Sequence, residues 1–171
     1  MPAFRAFLLI VLVPLGAAES QGRYQATPVD LAGSTLGGRL RAPPGFQVTE
    51  FAKVLGARFM AVGPDGAVYV SQPRSGQVTR LADVDGDGTA ESQGVAVEGL
   101  NRPHGLAFRD GWLYIANTDG VVRVRLGADG RATAPPEKLN EYASGGGHWT
   151  RSILFGADGA MYVTIGSSCN L

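Results

Sequence analysis

Three Asp-Gly pairs punctuate this chain at nearly even spacing: Asp65-Gly66, Asp110-Gly111 and Asp158-Gly159, 45 and then 48 residues apart. Each pair lies between two short apolar runs, at 59–62, 105–108 and 152–155 before it and at 67–70, 112–115 and 160–163 after it. Each following run carries an aromatic residue at a similar offset. Asp-Gly between such runs marks a β-hairpin, because glycine takes the positive φ that the turn requires. Third strands are predicted at 77–81 and 121–126, and a short fourth at 95–97. No amphipathic helical stripe appears beyond the N-terminal segment. Short strands repeating every ~40–50 residues are the signature of four-stranded propeller blades. The predicted fold class is therefore all-β, a partial β-propeller over residues 41–171. The competing arrangement, a β-sandwich of unrelated hairpins, does not explain the recurring aromatic.

The three hairpin units make about three blades, the third incomplete. Propellers close with ~4–8 blades, which predicts a truncated or fragmentary protein. Residues 46–51 alternate like a strand and precede the first blade; in a closed ring such a strand completes the last blade. Left alone, the third unit would present an unpaired edge, an aggregation hazard.

The N-terminus reads differently. Arg5 precedes an apolar run from Ala6 to Leu15, then Gly16, Ala17 and Ala18. Residues 1–18 are predicted to be a cleaved secretory signal, too short for the ~20 residues of a membrane span. A periplasmic or secreted protein with no stable span is the expectation. Residues 19–40, mixed in Gly, Pro, Thr and Ser, read as an arm or linker. Fifteen Lys and Arg balance fifteen Asp and Glu, and no basic run occurs, which argues against a nucleic-acid partner. Cys169 is the only cysteine; in an exported chain that suggests a missing partner.

In an antiparallel blade, the loop leading into the first strand and the loop from second to third strand open on one face. That rule gathers Arg58, Asn101, Arg102, His104, His148 and Trp149 with Gln72, Arg74, Asn117, Thr118, Asp119, Ser167, Ser168 and Asn170. The chain has two histidines and both fall in this set. An imidazole titrates near neutrality and can take a proton from a hydroxyl. His148 follows three glycines, which permit close approach by a bulky ligand. The residues alone leave a second reading open, a loop histidine bonded to a neighbouring carbonyl. For His104, between Pro103 and Gly105, strand-entry punctuation is the simpler reading.

Residues 83–91, Asp-Val-Asp-Gly-Asp-Gly-Thr-Ala-Glu, form the other chemical signal. Alternating carboxylates between glycines can wrap a hard cation such as calcium. Asp83, Asp85, Asp87 and Glu91 would bind by side chain and Thr89 by its carbonyl. The twelfth position is Gly94, so this is not a full EF-hand loop. A solvated acidic turn is the alternative. The loop falls between third and fourth strands, at the opposite end from His148.

Three stretches, 57–66, 99–108 and 148–170, carry a family resemblance: Ala-Arg-Phe-Met-Ala-Val-Gly-Pro-Asp-Gly, Gly-Leu-Asn-Arg-Pro-His-Gly-Leu-Ala-Phe, and the run from His148 to Asn170. The chain from about residue 40 to 170 resembles the N-terminal half of sugar dehydrogenases that use pyrroloquinoline quinone (PQQ), in particular the L-sorbosone dehydrogenase-like branch, related to soluble quinoprotein glucose dehydrogenase. The resemblance implies a six-bladed propeller, a quinone over its central channel, a sugar or aldehyde substrate and a downstream electron acceptor. The glucose enzyme has a base histidine eight residues before the glycine of its third-blade Gly-x-Asp turn. His148 stands in that place before Gly156, so the role of general base is carried over to it. The candidate cofactor contacts here are Arg58, Arg102, His104, Trp149, Arg151, Ser167 and Asn170, with Arg151 the weakest; the arginines, lysine and calcium loop that hold the quinone in the family lie in later blades. Ser167 departs from the aspartate of the glucose enzyme, and the family's cysteine partner for Cys169 is missing. A non-catalytic NHL-like binding propeller shares the turn pattern and is the alternative function.

Overall fold

The computed structural model describes residues 27–28, 41–44, 46, 48–144 and 147–167. The signal segment, nearly all of the arm, and Ser168, Cys169 and Asn170 lie outside the described residues. Among those described there is no helix. The chain divides into two compact units, residues 1–53 with 86–89 and residues 54–85 with 90–171. In the first, β1 (Thr27–Pro28) pairs antiparallel with β2 (Arg41–Ala42).

The second unit holds three antiparallel meanders. β3 (Phe59–Val62), β4 (Val68–Gln72), β5 (Gln77–Ala82) and β6 (Ser92–Val97) form one four-stranded sheet in sequence order. β7 (Leu106–Arg109), β8 (Trp112–Asn117), β9 (Gly120–Val124) and β10 (Glu137–Lys138) form the second. β11 (Ile153–Phe155) and β12 (Met161–Val163) pair as a third hairpin. The architecture is all-β, with sheets of the propeller-blade kind.

Strand periodicity decides where the cores lie, because successive side chains point to opposite faces. Phe59, Ala61, Tyr69 and Val78 of the first blade meet Leu106, Leu113, Ile115 and Val124 of the second in one apolar core. The other face of the second blade presents Ala116 and Val121 to Ile153, Met161 and Val163 of the third hairpin, with Ala107 and Tyr114 beside them. The middle blade is thus covered on both faces. Leu154 and Tyr162, on the far face of the third hairpin, are exposed, as are Met60 and Val62 on the far face of the first blade.

The three Asp-Gly pairs make two kinds of turn. Asp110 and Gly111 are a two-residue connection with φ of 50° and 75°, the double positive φ of a type I′ hairpin. The first and third loops are longer and alike. Gly63 N–H donates to Ala67 O at 2.8 Å, and Gly156 N–H to Ala160 O at 2.9 Å. In each, the aspartate carboxylate receives the tyrosine hydroxyl four residues on, Tyr69 to Asp65 at 3.1 Å and Tyr162 to Asp158 at 3.0 Å.

Some boundaries depart from the pattern. Residues 48–54 carry no strand although 46–51 alternate; alternation suits one face of a strand, but a ladder also needs a partner for each backbone group. β4 and β8 run on through Ser71-Gln72 and Ala116-Asn117, polar or small residues whose ladder bonds continue past the apolar stretch. β10 is polar and exposed, held by Arg123 paired with Glu137 at 2.9 Å, and no apolar run announces it.

Candidate functional site

His104 is the bolt between the three sheets. Its Nδ1–H donates to the Arg151 carbonyl at 3.0 Å, and its own carbonyl accepts the Ser71 hydroxyl at 2.8 Å. Its ring lies 5.4 Å from that of Phe59 and 6.2 Å from that of Trp149. Burial holds its pKa below the usual histidine value, and the positive charge of Arg58 pushes the same way. A neutral imidazole that donates from Nδ1 suits a structural seam.

Around that seam the predicted loops meet. The Arg102 guanidinium carbon sits 4.1 Å from the centre of the Trp149 ring, a cation–π contact, on a backbone with φ of 48°. Thr118 Oγ1 donates to the Trp149 carbonyl at 3.2 Å, and Thr118 N–H to Asn101 O at 3.1 Å. Trp149 also walls a concavity of about 520 Å³ with Leu55, Arg58, Gln72, Arg74 and Ser75. Gln72 is fixed rather than free: its Nε2 donates to Leu55 O at 2.7 Å, and its Oε1 accepts from Thr79 and Gln77.

The arginines of this face differ from those elsewhere in their partners. Among the described residues, Arg80, Arg109 and Arg123 pair with Asp65, Asp110 and Glu137. Arg58, Arg74 and Arg102 make no such ion pair. Three guanidiniums beside a concavity and an indole can receive a planar or sugar-like anion, since each offers a rigid fork of donors.

His148 is half-buried at the edge of this group. Arg151, placed by sequence among the cofactor contacts, is 2% exposed. Its Nη1 donates to the carbonyls of His148 at 2.8 Å and Thr150 at 3.1 Å, and its Nε finds no partner. The structure therefore seats it inside the loop rather than on the open face. Asn117 Oδ1 is likewise buried without a partner. Ser167 is exposed after β12, and Asn170 lies outside the described residues. Gly166 is the residue the sequence reading passed over. A Cβ there would fall 2.6 Å from both Cβ and O of His148. The only sequence signal for it is a glycine three residues past the end of an apolar strand.

The acidic loop leaves the far end of β5. Carboxylate oxygens of Asp83, Asp85, Asp87 and Glu91 lie within 4.8 Å of one another. Two are held by the backbone, Glu91 by Val84 N–H and Asp87 by Thr89 N–H, each at 2.7 Å. Oxygen donors so grouped fit a hard divalent cation.

No protein-family model and no curated protein matches this chain. Solved structures do. The iodide structure of a Trichoderma reesei carbohydrate-active enzyme of family AA12 matches with a TM-score of 0.63 and 21% identity over 90% of this chain and 37% of that one. The calcium structure of the AA12 enzyme matches at 0.59 and 21% over 70% and 32%. The holo PQQ domain of pyranose dehydrogenase from Coprinopsis cinerea matches at 0.64 and 16% over 88% and 34%. At these identities the likeness shows the fold. The chain spans about a third of the length of these neighbours.

Proposed function

We propose that this chain supplies the N-terminal blades of an exported quinoprotein that oxidises an aldose, a sorbosone-like sugar or another aldehyde or hydroxyl substrate. The carrying observation is the grouping of Trp149 with Arg58, Arg74 and Arg102, none ion-paired among the described residues, in a fold shared with a PQQ domain; His148 directly precedes that indole. Pyrroloquinoline quinone, when bound, is the two-electron acceptor. The donor set suits it: Arg58 and Arg102 would hold its carboxylates, and the Trp149 indole would offer a flat apolar wall. His148 accepts the proton of the substrate hydroxyl at an imidazole nitrogen, as a general base within hydrogen-bond reach. His104 keeps the loops in register from behind. Calcium in the 83–91 loop stabilises the first blade, and a downstream acceptor collects the electrons.

Titration of the longest product of this gene with PQQ, followed by dye reduction with aldoses and aldehydes, tests the reading. A bound-quinone spectrum and substrate-dependent reduction that His148→Ala lowers at least ~100-fold are expected. Sugar binding without quinone binding or dye reduction would leave an NHL-like binding propeller instead.

A further inference from the structure

We infer that Arg151 and Gly166 are positioning residues for His148, the one from behind its main chain and the other from its flank. The inference rests on the reading of His148 as the base. A guanidinium this deeply buried ordinarily meets a carboxylate, because an unpaired charge out of water is costly. Arg151 has no ion pair among the described residues. Its Nη1 instead bonds the carbonyls of His148 and Thr150. Those bonds close the loop three residues after the histidine, so the arginine ties down the turn that aims the imidazole. Its own carbonyl accepts from Gly105 N–H at 2.9 Å and from His104 Nδ1 at 3.0 Å, which anchors its backbone to the second blade.

Gly166 acts from the other side. Its φ lies outside the left-handed region, so backbone freedom does not explain a glycine here. Space does: the segment leaving β12 passes so close to His148 that a methyl would meet its Cβ and O at 2.6 Å. Gly147, by contrast, has open space around it. The histidine is therefore fixed on its C-terminal side and against the segment leaving β12, while Gly147 just before it stays uncrowded. A general base needs this, since a displacement of about 1 Å costs roughly 100-fold in rate.

Two histidines make the test direct, because the imidazole NMR spectrum of the chain holds two sets of signals. His104→Gln assigns them. Arg151→Met and Gly166→Ala should each move the His148 Cε1–H signal. The His104 signal should stay, because its partner is the main-chain carbonyl of Arg151 and not its side chain. Arg151→Lys, which keeps a cationic donor, should recover part of the shift. In quinone-loaded protein, kcat should fall about 10- to 100-fold with KM nearly constant. A His148 signal unmoved by both substitutions overturns the inference, as does an equal movement of both histidines, which marks general loosening. Should Arg151→Met not fold, Gly166→Ala decides alone. The NMR arm needs no quinone, so a wild-type protein without dye reduction defeats the functional reading and leaves this result standing.

Discussion

The first and third hairpins share one motif and differ in what covers it. Gly63-Pro64-Asp65-Gly66-Ala67-Val68-Tyr69 and Gly156-Ala157-Asp158-Gly159-Ala160-Met161-Tyr162 close with matching backbone bonds and matching tyrosine-to-aspartate bonds. Yet Tyr69 is 1% exposed and Tyr162 53%. The Tyr69 ring lies edge-on to Phe108 of the second blade at 4.9 Å, and Asp65 also receives Arg80 Nε at 2.8 Å. Burial, then the Asp65 carboxylate, pushes the Tyr69 hydroxyl up to about 12. The motif makes the turn; the neighbouring sheet decides what the turn is worth.

The largest test of that contrast is the tyrosine itself. Tyr69→Ala should cost about 3–5 kcal/mol in urea unfolding, as large core truncations do, whereas Tyr162→Ala should cost under ~1 kcal/mol. Equal losses would break the comparison. Next comes the carboxylate. Asp65→Ala should cost about 1–2 kcal/mol, since it strands a half-buried hydroxyl and a guanidinium, and Asp158→Ala should cost clearly less.

A smaller effect is read against pH. His104 has its pKa lowered by burial. The unfolded chain therefore takes up a proton first, and stability should fall as pH drops below about 6.5, the ordinary histidine value, until the folded-state pKa is passed. His104→Gln should flatten that slope. The Asp158 carboxyl is held below its usual range, first by the Ala160 N–H and then by the Tyr162 hydroxyl. Its contribution is present above the unfolded carboxyl pKa and is lost only as pH falls through the lower folded value, so it belongs to a more acidic window. The smallest effect is expected from calcium: addition should raise the melting temperature of the wild type by a few degrees and leave Asp85→Asn unchanged.

Much of this was legible before any coordinates. The Asp-Gly spacing located the hairpins because turn chemistry is local, and antiparallel order alone gathered His104, Trp149, Arg102 and Thr118 on one face. What the pattern could not carry was contact between sheets. Arg151 reads as the weakest of the candidate cofactor contacts, and only the depth of its loop shows it buried. Gly166 reads as a strand terminator until His148 is seen against it. Residues 46–51 alternate convincingly, but a strand is a relation between two segments, and alternation describes one.

Gly105 has a consequence for repeat proteins built this way. A side chain there would strike the backbone of the third hairpin, with Arg151 O at 2.8 Å and Ile153 N at 2.9 Å from its Cβ position. The matching positions ahead of the other first strands are Arg58 and Ser152. The blades are therefore not interchangeable parts. A duplicated or transplanted first blade would bring an arginine to a junction that admits only a hydrogen atom, so recombination between these units can succeed only where the junction travels with the blade.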